Sequence, residues 1–137
     1  MKKTILLMTT LAFSLNVSAA MVVIGNPAAG VDTLSQKNVK KLFMGKKTKL
    51  PNGDKAKIIE LVDGKPERIA FHDATTGRSE SQLQSAWSRL VFTGKAEAPT
   101  QVSDDAAVIQ AVLAAPNAIG YIDEASVTAD VKVLLKL

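Results

Sequence analysis

Arg68 and His72 stand four residues apart, and on a helix that spacing puts both side chains on one face. An Arg fork beside an imidazole is a cradle for a small anion. The one His of the chain would add sensitivity to pH. The same Arg can instead clamp an acid such as Asp63 and tie its helix to the preceding loop. The frequent use of Arg–carboxylate forks as structural glue favours that second pairing. Ser35 opens another helix and is read as its N-cap. That helix start follows the first strand, where open α/β sheets gather ligands. Ser35, Asn26 and Thr33 therefore form a second candidate anion site. Catalysis has less to stand on, because a nucleophile needs a base and an orienting third group. No Gly-x-Ser-x-Gly elbow is present, and Thr75-Thr76-Gly77-Arg78-Ser79 lacks the Gly-Lys-Ser/Thr ending of a phosphate loop. With no Cys and a single His, no metal site is assigned. No cofactor and no catalytic residue are expected.

The elements that must position these residues alternate. Met21-Val22-Val23-Ile24-Gly25 reads as a short buried strand, and Asn26 to Gly30 as a loop. A helix follows from Leu34 or Ser35, with Val39, Leu42 and Phe43 inward and Gly45 at its end. Leu50-Pro51-Asn52-Gly53-Asp54 is a turn between two short extended pieces. Lys57 to Val62 is the second strand, and Asp63-Gly64 leads into a helix near Pro66, a residue suited to a first helical position. Ser79-Glu80-Ser81-Gln82 matches a capping box. Leu83, Trp87, Leu90 and Val91 then form one apolar stripe, expected to face the core. Phe92 to Pro99 reads as a loop. Ser103-Asp104-Asp105 caps a last helix with Val108, Ala111, Val112 and Ala115 inward, stopped at Pro116-Asn117. Ala118 to Ile122 and Val131 to Leu135 are the final strands. Strands separated by helices predict an α/β domain with a mixed, mostly parallel sheet flanked by helices.

Lys2 and Lys3, the apolar run Ile5 to Leu15, and the small residues Val17-Ser18-Ala19-Ala20 form a secretory signal peptide. The run is shorter than the roughly 20 apolar residues of a membrane span. Residues 1–20 are thus expected to be removed, after Ala19 or Ala20, leaving 21–137 as a single domain in the periplasm. The chain has 17 Lys and Arg against 13 Asp and Glu. Without Lys2 and Lys3 the excess is mild, and no basic stripe marks a nucleic-acid surface. The densest cationic cluster, Lys40, Lys41, Lys46, Lys47 and Lys49, reads as a solvated helix end.

The order of these segments resembles the substrate-binding proteins of phosphate ABC transporters, in the type 2 periplasmic binding superfamily. Ser35, Val39, Leu42-Phe43 and Gly45-Lys46 are similar to that family's capped helix ending in Phe and Gly. Leu50-Pro51-Asn52-Gly53, Ile58 to Val62, Arg68 and Phe71, Trp87, Phe92-Thr93-Gly94-Lys95 and Ile119-Gly120-Tyr121 continue the pattern. The resemblance implies a single periplasmic-binding-protein-like lobe that takes phosphate or another small anion, in transport or its regulation, beside an ABC permease. The chain departs from the family where full-length members place Ser-Gly-Thr at the start of the helix after the second strand. Here that stretch is Asp63-Gly64-Lys65-Pro66-Glu67-Arg68. Pro66 has no N–H to offer, and Asp63 and Glu67 put negative charge beside the oxyanion position. The departure motivates an alternative: a periplasmic protein-interaction or sensor-accessory module that has lost phosphate binding. A homodimer that rebuilds a two-lobed cleft is a third arrangement.

Overall fold

A computed structural model describes residues 20–137. The segment read as a signal peptide, apart from Ala20, lies outside the described residues. Five strands, β1 (Met21–Gly25), β2 (Lys57–Leu61), β3 (Thr100–Val102), β4 (Ala118–Asp123) and β5 (Lys132–Lys136), form one sheet in the order β3-β2-β4-β1-β5. β2 pairs in parallel with β3 and β4, while β1 runs antiparallel to both β4 and β5. Four strands therefore point one way and β1 the other, which is the mixed, mostly parallel sheet expected.

The helices are α1 (Gln36–Phe43), α2 (Pro66–Ala74), α3 (Glu80–Phe92) and α4 (Asp105–Ala114). Their starts follow local chemistry. Ser35 Oγ accepts from Asn38 N–H, Ser79 and Gln82 complete a reciprocal capping box, and Asp104 caps α4 through Ala107 N–H. α2 has no side-chain cap and begins at Pro66, whose missing N–H costs nothing at that position.

Successive strand residues point to opposite faces, and β4 shows which helices cover each. Tyr121 meets Phe43 of α1 and Phe71 of α2. Its neighbour Gly120 faces α4, where an added Cβ would lie 2.7 Å from Val108 Cγ1. Helices on both faces explain why β1 is buried along its whole length and reads as a continuous apolar run.

The loop expected through Pro99 leads into β3, whose three residues are too few to show a period of two. One expectation needs correction. The stripe on α3 does not face the core throughout. Leu83 is buried, Trp87 and Leu90 are half-buried, and Val91 and Phe92 are exposed, Phe92 to 92%. Periodicity reports a stripe but not where the support beneath it ends. Here a groove of about 560 Å³ opens between the last turns of α3 and the Pro99–Gln101 edge.

Candidate functional site

The β2–β4 ladder spans only Lys57 with Ala118 and Ile58 with Ile119. Beyond it the two strands are bridged by side chains. Val62 N–H donates to Val102 on the β3 side, so the N–H and C=O of Leu61 face β4. Tyr121 Oη accepts from the first at 3.2 Å, and Arg68 Nη1 donates to the second at 2.9 Å.

Glu60 sits at the centre of this seam with 2% exposure. Its Oε2 accepts from Tyr121 Oη at 2.7 Å and from Arg68 Nη1 at 2.9 Å, and its Oε1 lies 2.8 Å from His72 Nε2. A carboxylate only accepts, so Nε2 carries a proton, and Nδ1 lies 3.0 Å from the Thr76 Oγ1. The Arg68 fork is consumed by carboxylates on three sides: Glu60, Glu80 at 3.0 Å through Nε, and Asp63 at 3.2 Å through Nη2. Asp63 is further held by Gln84 and Gln101. The β2–α2 turn is thereby latched to α3 and β3. No buried side-chain polar atom among the described residues lacks a partner.

The electrostatics follow from burial and these charges. Burial works to lower the Arg68 pKa, but Glu60 and Glu80 outweigh it and the net shift is upward. Burial first, then the charge and hydrogen bond of Glu60, push the Tyr121 hydroxyl well above the ordinary phenol value of 10.0. Tyr121 thus stays a donor in the folded chain while the unfolded chain ionises near the ordinary value. A raised folded pKa gives stability that is complete below the unfolded pKa and declines as pH rises beyond it. Urea denaturation of the wild type and Tyr121→Phe should therefore give a gap of about 1–3 kcal/mol at pH about 8. The gap should narrow as the pH is raised to about 11. A constant gap across that range would show that Tyr121 does not act through its proton.

The crevice beyond the carboxyl ends of β2, β3 and β4 lies next to this seam. The connections after β2 and β3 leave on opposite faces, which makes a topological switch point. The cavity there, about 520 Å³, is lined by Lys65 and Glu67 from the start of α2, Asp104 and Asp105 from the start of α4, and Asp123. Asp104 is spent on its own helix, and Asp105 accepts from Asp123 N–H and the Ser126 hydroxyl. One lysine faces four carboxylates, while Arg68 is turned into the seam. This lining disfavours an oxyanion.

The residues read from sequence as site candidates fall into two groups that no hydrogen bond joins. Arg68 and His72 share a helix face as expected and meet on Glu60, with Arg68 also paired to Asp63. Ser35 caps α1. Asn26 accepts from Ala28 N–H and donates to Val112 C=O, and Thr33 is exposed. Because β1 is reversed, its carboxyl end lies beside Ile119, at the amino end of β4. Asn26 therefore leaves the sheet at the pole opposite the crevice, and the expectation that the first strand leads to the ligand end is corrected. Glu60, at the centre of the seam, belongs to no motif or helical spacing. Its signal was a lone charge inside the otherwise apolar run Ile58-Ile59-Glu60-Leu61-Val62.

The chain has the fold of a periplasmic binding protein lobe. Solved structures similar to it include an ABC-type phosphate transport receptor from Vibrio cholerae, with a TM-score of 0.67 and 16% identity over 84% of this chain. A putative phosphate ABC transporter substrate-binding protein with bound phosphate, from Clostridium perfringens, gives 0.66 and 21% over 84%. PstS from Borrelia burgdorferi gives 0.65 and 16% over 84%. The chain covers 45%, 44% and 46% of these proteins, less than half of each. No family model and no curated protein matches the chain. The resemblance read from sequence holds at the level of fold.

Proposed function

We propose that the chain is a non-catalytic periplasmic binding module that keeps the lobe fold of phosphate receptors, leaves phosphate unbound in its strand-end crevice and engages a protein partner. The observation that carries this reading is the crevice itself, where four carboxylates face one lysine and Arg68 is withdrawn onto Glu60, Asp63 and Glu80. The partner face is the end of α3. Phe92 projects almost wholly into solvent beside Val91 and the half-buried Trp87. An exposed aromatic at the rim of an apolar groove is the anatomy of a binding anchor. No helix among the described residues is long and apolar enough to cross a membrane. The proposed partner is a periplasmic protein or a permease facing the periplasm.

Phe92→Asp tests this face. The side chain is 92% exposed, so the variant is expected to fold with stability within about 0.5 kcal/mol of wild type. Tagged wild type should enrich a defined periplasmic or membrane protein over a mock control, and Phe92→Asp should lose it. Enrichment that survives the substitution, or none with the wild type, contradicts the reading.

The likeness to phosphate receptors of known structure supports a second reading, a small-anion binder in transport or its regulation. Under it, phosphate would bind the crevice despite its acids.

A further inference from the structure

The groove beside Phe92 occupies one flank of α3, and a second groove runs along the other. Gln82, Ser85, Ala86, Arg89 and Leu90 lie at i, i+3, i+4, i+7 and i+8, which is one helix face. Two cavities of about 160 and 340 Å³ follow this face and share Met44, Lys46 and Ala86, so they form one groove. Its floor is apolar: the buried Met44 and Leu83, then Ala86 and the half-buried Leu90.

The wall facing α3 is the chain that leaves α1. The Trp87 indole N–H donates to Phe43 C=O at 3.1 Å and pins α3 against the end of α1. Gly45 then passes close to α3. Its φ of 70° is in the left-handed region, and an added Cβ would lie 2.4 Å from Leu90 Cδ1. Lys46 N–H donates to Lys41 C=O at 2.9 Å, which fixes the backbone that carries Lys46 along the groove.

The rim is cationic. Arg78 stands at one end, Arg89 at the other, and Lys46 borders both cavities. All three are exposed, and none makes an ion pair among the described residues. No carboxylate lines the groove. Arg78 and Arg89 are separated by on the order of 15 Å along α3 at the helical rise. Cations spread along a recessed apolar floor complement a chain with several anions better than one compact anion. A recess also fits a peptide better than the flat surface of a bilayer.

We propose that this groove docks an acidic, apolar peptide segment of a partner protein. Its apolar side chains fill the floor and its carboxylates meet Arg78, Lys46 and Arg89. This rests on the protein-binding reading, but on a face that meets the Phe92 groove only at Leu83.

The test is titration of residues 21–137 with a fluorescein-labelled peptide that has leucines at i, i+3, i+4 and i+7 and glutamates elsewhere. Binding is followed by anisotropy and by the amide resonances of Lys46, Ser85 and Ala86. Saturable binding below millimolar concentration is expected, with movement of those amides and weakening as salt is raised. Arg78→Gln with Arg89→Gln should weaken it by about tenfold or more. Ala86→Glu, which sets a carboxylate on the floor, should weaken it at least as much, and Lys40→Gln, outside the groove, should not. The substituted residues are all exposed, so the variants are expected to fold, and an unchanged thermal transition checks this. No saturable binding, or equal binding by the double variant or by a peptide with glutamine for glutamate, would overturn the proposal. Movement at Ser88 and Gln101 in place of Lys46, Ser85 and Ala86 would also overturn it, by assigning the peptide to the Phe92 groove. Vesicles of phosphatidylglycerol form a parallel arm. Binding to them that is lost in the double variant, with none to the peptide, would make the groove a membrane contact instead. Loss of the Phe92 face in its own test leaves these outcomes unchanged, so the two readings fail separately.

Discussion

Arg68→Met will destabilise the fold by about 3–5 kcal/mol in urea denaturation at neutral pH. Arg68 is 4% exposed, so solvent does little to screen its contacts. Removing it strands two buried groups. The Glu60 carboxylate loses its only permanent cation, and Leu61 C=O loses its donor at the point where β2 and β4 are no longer laddered. Methionine fills much of the volume, so the loss reads electrostatics rather than packing. Adding Glu60→Gln should recover part of it, because the orphaned charge is then gone. A loss below about 1 kcal/mol, within the ordinary range for substitutions, would mean that the seam is not held by this ion network.

Phe71→Ala should cost a similar amount, about 3–5 kcal/mol, by the cavity it leaves. Phe71 is fully buried, stacked on Tyr121 with centroids 3.8 Å apart and 8° between planes, and edge-on to Phe43 at 4.8 Å. It sets the Tyr121 ring that delivers the hydroxyl to Glu60, so packing and polar seam fail together. Phe71→Leu keeps most of the volume and should lose much less. Equal losses for Ala and Leu, measured by thermal or urea unfolding, would point to a requirement for the ring itself rather than for filled space.

The parts of the fold that were legible in sequence are those written in local chemistry. Ser35 and Ser79 announce helix starts because a hydroxyl must meet orphan N–H groups, and Gly45 announces an end because only glycine takes that φ at little cost. β1 and β4 read as strands because both faces are covered. β3 was illegible at three residues, and so was its role as an edge that leaves the end of α3 uncovered. The site was half legible. The helical spacing brought Arg68 and His72 together, and Asp63 was foreseen as an Arg68 partner. Glu60, Glu80 and Tyr121 join them from 8, 12 and 53 residues away along the chain, through strand and helix packing that no spacing rule encodes. The reversal of β1 was equally hidden, since an apolar run carries no direction. That reversal moved Asn26 to the far pole and left the crevice to α2, α4 and their acids.

The central claim is that this lobe leaves phosphate unbound where strand-end ligands are held. The most direct measurement is a phosphate titration of residues 21–137, unfolded and refolded to strip carried ligand, read at the amides of Lys65, Glu67 and Ala106. The account predicts no saturable shift at these crevice positions up to millimolar phosphate. Saturable movement of Lys65, Glu67 and Ala106 with a micromolar midpoint would contradict it and establish the crevice as an anion site in spite of its four carboxylates.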